Sequence, residues 1–213
     1  MGIGRRKFLQ LIGATASALI LSPGTAVALH NNTYINRKLG IAFEKPNGWH
    51  FSDVKEMGEV AAGQLHATDD ESWMQYFAEQ PLPILTVGRE KLGTTNRFTP
   101  GITIFLDKIE SKESSSFLAE NCDWDFAQMN QMFKHLTLLE DKSELSISEC
   151  DAMEYSVRFL FEHERIEPAY VRMRSVVVNH HPAYYTFRMF DSPFMGNEFE
   201  HSYDSFLSCV KLI

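Results

Sequence analysis

The feature that most constrains the fold of this chain is the alternation of apolar and polar residues between Ala152 and Phe190. Its first segment carries apolar side chains at every second position, namely Met153, Tyr155, Val157, Phe159 and Phe161. Successive side chains of a β-strand point to opposite faces, so this spacing predicts a strand with one apolar and one mostly polar face. Such a strand needs both a neighbouring strand and a covering layer.

Two more strands are predicted in the same stretch. Turn-forming residues occupy His163 to Pro168 and Asn179 to Pro182, and the segments Tyr170 to Val178 and Ala183 to Phe190 are strand-like. Proline lacks a backbone N–H and is tolerated best in or beside turns, which is where both prolines of this stretch fall. We therefore predict an antiparallel meander of three strands.

Two amphipathic helices are predicted to cover the apolar face of the meander. The first has apolar residues at steps of three and four, which form one stripe on a helix. This stripe consists of Leu118, Cys122, Phe126, Met129, Phe133 and Leu136. The second helix is predicted to begin at Ser192-Pro193. Its predicted buried face consists of Phe199, Tyr203, Phe206 and Leu207. The segment Cys209 to Ile213 predicts a short closing strand.

The first half of the chain contains shorter elements. The pattern predicts a hairpin from Tyr34 to Lys45 with Gly40 near its turn, then a turn at Pro46-Asn47-Gly48 and a core position at Trp49. Further predicted elements are a weakly patterned helix at 53–65 and strands at 84–87 and 101–108. No internal repeat or linker interrupts the chain, so residues 29–213 are predicted to form one domain.

The first 28 residues have the features of a cleaved export signal. Arg5 and Arg6 form a positive start, and the apolar run from Phe8 to Leu21 is too short for a comfortable membrane span. The surrounding sequence is similar to the twin-arginine export motif, although Gly4 stands where Ser or Thr is usual. Nothing near the end of the segment discourages the general secretory route. Both routes stay open, and the motif favours the twin-arginine route.

A small-x-small pattern at Ala26-Val27-Ala28 predicts cleavage after Ala28, and a retained anchor is the alternative. The whole chain has a net charge of −8, and without the three basic residues of the signal it has 17 basic and 28 acidic residues, or −11. Nucleic acids and anionic membranes bind basic surfaces, so this charge argues against both partners. It permits a local basic patch.

The chain has three cysteines, Cys122, Cys150 and Cys209, so at most one intramolecular disulfide can form. Cys122 falls on the apolar face of the first predicted helix and Cys209 in the last predicted strand. Both are therefore interpreted as buried free thiols that act as small hydrophobic residues. A nucleophilic cysteine needs a histidine partner and an electropositive environment, and the sequence locates neither.

The order of these elements resembles the PsbP-like superfamily. The residues that carry the resemblance are Ile41 to Trp49, Met153 to Val157, and Asp204 to Phe206. It implies an α+β fold, an α/β/α sandwich around a central antiparallel sheet with the three-strand meander. It also implies a protein without known catalysis, because members mostly bind proteins and the photosynthetic member helps retain inorganic ions. These motifs are packing signals, so no functional residue is carried over.

Four arginines of the meander are the candidate binding residues: Arg158, Arg172, Arg174 and Arg188. If several share a sheet face, they form a patch for an anionic ligand or an acidic partner. The alternative is cross-strand pairing with Glu154 and Glu162, which contributes only fractions of a kcal/mol for each pair. Tyr170, Tyr184 and Tyr185 are either part of the same surface or sheet packing.

Two turns carry residues of metal-binding type, Glu162 to Glu164 in the first and His180-His181 in the second. Imidazole and carboxylate groups suit zinc or manganese. The two turns of a meander lie at opposite ends of its sheet, however, so one site joining both groups is not expected. Solvated turn residues are the simpler interpretation, and we predict no metal site, no cofactor and no catalytic motif.

The sequence therefore predicts an exported, non-enzymatic protein of the periplasm, or of the thylakoid lumen if the source is photosynthetic. Its expected partner is another protein, and it has no expected membrane anchor once the signal is removed. The alternative function is a carrier of a small ligand or a metal ion that uses the arginines or histidines of the meander. An enzyme of unrecognised type would need an acid, base or nucleophile in a cleft, which sequence alone does not show.

Overall fold

The alternating segment lies at the centre of the fold. The structure is a computed structural model that describes residues 27–30, 32–52, 83–91, 94–108, 116–195 and 197–213. In chain order the strands are β1 (Val27–His30), β2 (Thr33–Asn36), β3 (Ile41–Glu44), β4 (His50–Ser52), β5 (Pro83–Gly88), β6 (Gly101–Lys108), β7 (Thr137–Ile147), β8 (Cys150–His163), β9 (Ile166–His180), β10 (Ala183–Asp191) and β11 (Lys211–Leu212). The helices are α1 (Ser116–Met132) and α2 (Glu200–Cys209), with a 3-10 turn at Pro193–Met195.

Seven of these strands form one antiparallel sheet in the order β4-β5-β6-β10-β9-β8-β7. The predicted meander is confirmed as β8, β9 and β10. Its first turn contains only Glu164 and Arg165, so β9 begins at Ile166 rather than Tyr170. Pro168 therefore lies in a strand instead of a turn. It stands where the pairing of β8 and β9 shifts register, a place that tolerates a missing N–H.

The two faces of this sheet bury two separate hydrophobic clusters. The face with Tyr155, Val157 and Phe159 packs against α1, whose side chains Leu118, Cys122 and Met129 are buried there, as the stripe predicted. The opposite face packs against α2 and a second sheet of order β1-β2-β3-β11. The predicted α+β class with helices on both sides of a central antiparallel sheet is confirmed.

The second core is rich in aromatic contacts between its layers. Phe206 of α2 meets Phe43 of the small sheet at a ring-centroid distance of 5.3 Å and Phe187 of the large sheet at 5.9 Å. Trp49 is buried and packs edge-on against Tyr203, with ring centroids 6.1 Å apart. These contacts explain why the predicted core positions of the terminal helix and of the Pro-x-x-Trp turn are buried.

Three element predictions need correction. The terminal helix begins at Glu200 and not at Ser192-Pro193, because the residues after Ser192 form a 3-10 turn first. Cys209 was placed in a strand, which is wrong, since it is the last residue of α2. The strand β7 was not predicted at all. It pairs with β8 at the edge of the large sheet, and most of its side chains are exposed.

Several predictions fall on residues that the structure does not describe. The signal residues Arg5, Arg6 and Ala26 and the helix at 53–65 lie outside the described ranges. Ala28 lies in β1, where its backbone pairs with Ile35 of β2. Cleavage after Ala28 would remove two residues of β1 and leave Leu29 and His30. Neither described helix is long and apolar enough to cross a membrane.

Candidate functional site

The strand register separates the four arginines into two groups. Arg158 of β8 lies directly opposite Arg172 of β9, and Arg174 follows two residues later on the same strand. Because side chains alternate along a strand, these three share the face that packs against α2. Arg188 of β10 lies opposite Ser175, so it points to the other face, towards α1. The structure thus brings three of the predicted residues together and places the fourth elsewhere.

Arg172 is held by two carboxylates. Its Nε and one terminal nitrogen donate to the two oxygens of Asp191, both at 2.9 Å, and the other terminal nitrogen donates to Glu200 at 3.0 Å. The Asp191 side chain is only 2% exposed. The hydrogen bond that Arg172 donates to Asp191 raises the pKa of Arg172. A bidentate pair of this type is among the strongest hydrogen-bonded ion pairs that proteins form.

Arg174 repeats this arrangement one step along the strand. Its Nε donates to Glu154 of β8 at 2.8 Å, and a terminal nitrogen donates to Asp204 at 2.6 Å. Glu200 and Asp204 are four residues apart in α2 and therefore lie on one side of that helix. Arg172 and Arg174 thus fasten α2 to the sheet, and each is paired with carboxylates of the same chain.

Arg188 takes part in a buried polar cluster beneath α1. It donates to Asp125 at 2.7 Å, and the hydroxyl of Tyr155 donates to the other oxygen of the same carboxylate at 2.5 Å. The guanidinium also lies over the ring of Phe105, 4.7 Å from its centroid. Burial raises the pKa of Tyr155, so its hydroxyl stays protonated and donates to Asp125. These contacts attach α1 to the sheet.

Arg158 has a different environment, because its side chain is exposed. The guanidinium stacks on Tyr170, 5.5 Å from the ring centroid, and the ring of His135 lies 6.2 Å from that of Tyr170. Within the described ranges, no carboxylate forms an ion pair with Arg158. We call the surface formed by Arg158, Tyr170 and His135 the Arg158–Tyr170 patch.

The connection between α1 and β7 positions this patch. The backbone of His135 has a φ of 58°, a left-handed conformation that turns the chain from the helix towards the sheet. The carbonyl of Lys134 accepts a hydrogen bond of 2.9 Å from the N–H of Leu160, which ties the connection to β8. The alternative of cross-strand pairing forms at Glu154, which pairs with Arg174. Glu162 pairs with the side chain of Lys134 instead, and no arginine of the described ranges pairs with it.

The edge strand β7 lies beside the patch. Thr137 of β7 is paired with Arg158, whereas the exposed Leu138 is paired with Val157 and therefore lies on the opposite face. Tyr170 itself is 38% exposed. Arginine and tyrosine are enriched in the energetically dominant residues of protein interfaces. Sequence analysis missed His135 because the strand β7 that follows it, and that pairs with β8, was not predicted.

The other candidates from the turns are separated, as the meander predicted. Glu164 lies in the turn after β8, whereas His181 lies in the turn after β9, at the other end of the sheet. His163 stacks on Phe161, and desolvation lowers the pKa of its imidazole. Among the residues that the structure describes, no group of three histidine, cysteine or acidic side chains is arranged to hold a metal ion.

The described thiols are free and their chemistry is limited by their surroundings. Burial raises the pKa of Cys122 to about 12, so this thiol stays protonated at neutral pH. Cys150 has the histidine partner that the sequence could not locate, with 3.6 Å between its Sγ and Nδ1 of His180. Burial and the neighbouring Asp151 and Glu149 raise the pKa of Cys150, which disfavours a free thiolate.

Comparisons with known proteins support the fold. No family model matches the chain, and no curated protein matches it either. Among solved structures, the chain is similar to cyanobacterial PsbP (CyanoP) from Synechocystis sp. PCC 6803, with a TM-score of 0.56 and 14% identity over 91% of this chain and 99% of that one. The PsbP-like fold that the resemblance implied is thereby confirmed. At this identity the likeness concerns the fold alone.

A second solved structure has a lower score. LpqN, involved in cell envelope biogenesis of Mycobacterium tuberculosis, has a TM-score of 0.47 and 9% identity over 81% of this chain and 82% of that one.

Proposed function

We propose that this chain is an exported, non-enzymatic accessory module that binds another protein through the Arg158–Tyr170 patch. The observation that carries the proposal is the position of Arg158, directly opposite Arg172 on one sheet face. Like charges that face each other across strands are destabilising. Arg172 is compensated by Asp191 and Glu200, whereas within the described ranges no acidic side chain pairs with Arg158.

An acidic group on a partner would complete the arrangement. Arg158 presents its guanidinium beside the face of an exposed tyrosine, so a bound carboxylate would meet both a charge and an apolar surface. An arginine beside an exposed tyrosine is a composition expected at the centre of a protein interface.

The environments of the buried ionisable groups support a role without catalysis. The buried carboxylates of Asp125 and Asp191 are paired with Arg188 and Arg172. The raised pKa of the Cys122 thiol and its burial oppose a role as a nucleophile. Export rests on the signal features of residues 1–28, and the periplasm is the compartment that they indicate, or the thylakoid lumen in a photosynthetic source.

The binding test uses charge reversal in the native host. Tagged wild-type protein, Arg158→Glu and Tyr170→Ala are exported by their own signal, crosslinked mildly and purified, and co-purified proteins are quantified by mass spectrometry. Arg165→Glu is the matched control, because Arg165 is an exposed arginine in the turn after β8. We expect one partner to be lost from the two patch variants and retained by the control. Equal recovery from all four proteins would refute the patch as the binding surface.

Export is tested separately on the same protein. We expect Arg5→Lys combined with Arg6→Lys to leave the uncleaved chain in the cytoplasm if the twin-arginine route is used. N-terminal sequencing of the exported protein checks the predicted cleavage after Ala28. Full-length protein recovered only from the cytoplasm of wild-type cells would contradict export while leaving the binding experiment interpretable.

A further inference from the structure

The first strand of the fold overlaps the end of the export signal. β1 begins at Val27, and its four residues pair in antiparallel register with Thr33–Asn36 of β2. The Ala28–Leu29 bond, where the sequence pattern predicts cleavage, therefore lies in the middle of a paired strand. The Ala26–Val27 bond immediately precedes the first residue of that strand.

The strand that pairs with β1 is anchored in the core. β2 also pairs with β3 on its other side, so it is an inner strand of the small sheet. Tyr34 of β2 is buried and stacks on Phe43 of β3, with ring centroids 5.0 Å apart. Asn36 is buried too, and its side chain donates to the hydroxyl of Tyr34 at 3.0 Å and accepts from the N–H of Leu39 at 3.1 Å. The core thus fixes the position of the strand on which β1 lies.

The residue before β2 is held as well. The carbonyl of Asn32 accepts a hydrogen bond of 2.8 Å from the N–H of Lys45. The side chain of Asn32 accepts from Nζ of Lys45 at 2.8 Å and donates to Asn47 at 2.5 Å. The connection from β1 to β2 is therefore fixed at its β2 end, and β1 can separate from β2 only from its own N-terminal end.

A peptidase needs an unpaired substrate backbone. The bond to be cut must enter the cleft of the enzyme, so a backbone that is paired with a neighbouring strand has to be released first. Cleavage of a folded chain therefore depends on the population of the opened state. The Ala28–Leu29 bond requires β1 to separate from β2, whereas the bond before Val27 requires only that the first residues of the strand fray.

Two overlapping small-x-small patterns are available to a signal peptidase. Ala26-Val27-Ala28 directs the cut to the Ala28–Leu29 bond, and Gly24-Thr25-Ala26 directs it to the Ala26–Val27 bond. The position of β1 distinguishes the two patterns. A cut after Ala26 keeps all four paired positions of β1, whereas a cut after Ala28 removes two of them.

We propose that the signal is cut between Ala26 and Val27, so that the mature chain begins with the first residue of β1. This inference rests on the export proposed above and on its twin-arginine route, because that route carries proteins that have already folded. In the reaction a signal peptidase adds water across this one peptide bond. The carboxylate is left on Ala26 and the α-amino group on Val27.

The test is intact-mass analysis and N-terminal sequencing of the exported wild-type protein and of two matched variants. We expect the wild-type protein to begin at Val27. Gly24→Tyr puts a large side chain at the third position before the proposed bond and should leave the precursor uncut. Ala28→Tyr puts the same side chain after that bond, and it should be cut normally because tyrosine is favourable in strands. A cut at Ala28–Leu29 predicts the opposite result for both variants, because Ala28 then directly precedes the bond.

A measurement on purified protein separates this inference from a failure of export. The full chain, shown to be folded by circular dichroism, is incubated in detergent with purified signal peptidase, and its products are analysed by mass spectrometry. We expect one cut, before Val27. An N-terminus other than Val27 in either experiment, a cut before Leu29 in Gly24→Tyr, or no cut by the purified enzyme would overturn the assignment. A cut before Val27 by the purified enzyme, together with no export from the host, would support the site and contradict the proposed export.

Discussion

The strongest prediction concerns the buried ion pair beneath α1. The side chains of Arg188 and Asp125 are 12% and 9% exposed, and they are joined at 2.7 Å. In Asp125→Leu the guanidinium stays buried without its carboxylate, and the hydroxyl of Tyr155 loses its acceptor. Breaking a buried pair by removing one partner destabilises a protein by about 3–5 kcal/mol. We expect a loss of this size, which lowers Tm by about 6–20 °C for a chain of this length.

A double-mutant cycle separates this effect from simple loss of packing. Arg188→Met leaves the carboxylate of Asp125 buried, and we expect it also to destabilise by about 3–5 kcal/mol. In the double variant Asp125→Leu/Arg188→Met neither charge is left unpaired. The double variant should therefore lose less free energy of unfolding than the two single variants together, by at least about 2 kcal/mol. Urea unfolding followed by circular dichroism supplies the four free energies of unfolding.

The neighbouring residue Asp123 provides the control. It lies on the same helix and pairs with Lys142, but its side chain is 67% exposed. An exposed pair contributes less than about 1 kcal/mol, so Asp123→Leu should change stability little. If Asp125→Leu and Asp123→Leu had similar effects, or if the single losses were additive in the double variant, the argument from burial would be refuted.

Three further predictions concern the other face of the sheet. Arg172→Ala leaves the buried carboxylate of Asp191 without its bidentate partner and should destabilise the protein by about 3 kcal/mol. Glu200→Gln changes a more exposed partner of Arg172 and should change stability by less than about 1 kcal/mol. Urea unfolding measures both variants, and equal effects would contradict the view that the buried Asp191 is the more important partner. Phe187→Ala empties a fully buried position and should lower the free energy of unfolding by about 3–5 kcal/mol in the same assay. Burial raises the pKa of Tyr185 to about 12, so above pH 10 the unfolded chain loses this proton before the folded chain does. Stability should therefore fall between pH 10 and pH 12 by at most about 1.4 kcal/mol per pH unit for this residue, and less steeply in Tyr185→Phe.

The sheet was predictable because its signal is local. In β8 every second side chain faces the core under α1, so burial imposes a period of two on the sequence itself. The stripe of α1 was readable for the same reason, with a period set by the helix. The boundaries were harder to predict, as the early start of β9 at Ile166 illustrates, because Glu167 and Pro168 within this strand are residues typical of turns.

The strand β7 was missed because exposure removes the periodic signal. It lies at the edge of the sheet, most of its side chains face solvent, and its register with β8 shifts near Leu138 and Glu140. Charged residues and irregular pairing are typical of protected sheet edges. A segment of this kind resembles a polar loop in sequence, and only its backbone pairing identifies it as a strand.

The partners of the arginines were beyond sequence analysis for a different reason. Arg188 and Asp125 are 63 positions apart, and Cys150 and His180 are 30 apart. Each contact depends on the register of a strand pair or on the placement of a helix over the sheet. A shift of one residue in either strand would turn the side chain to the opposite face, so residue type alone cannot select the partner.

Whether an arginine of this sheet stabilises the fold or faces a partner depends on the layer above it. Glu200 is the first residue of α2, and it reaches Arg172 in the middle of the sheet face. Arg158 lies beside Arg172 on the next strand towards the edge, and it is exposed. Helix α2 therefore supplies Glu200 as an acidic partner for Arg172 and supplies none for Arg158. On our proposal, a carboxylate of the bound protein pairs with Arg158, as Asp191 and Glu200 pair with Arg172. Charge reversal at Arg158 should therefore abolish binding while leaving the fold intact.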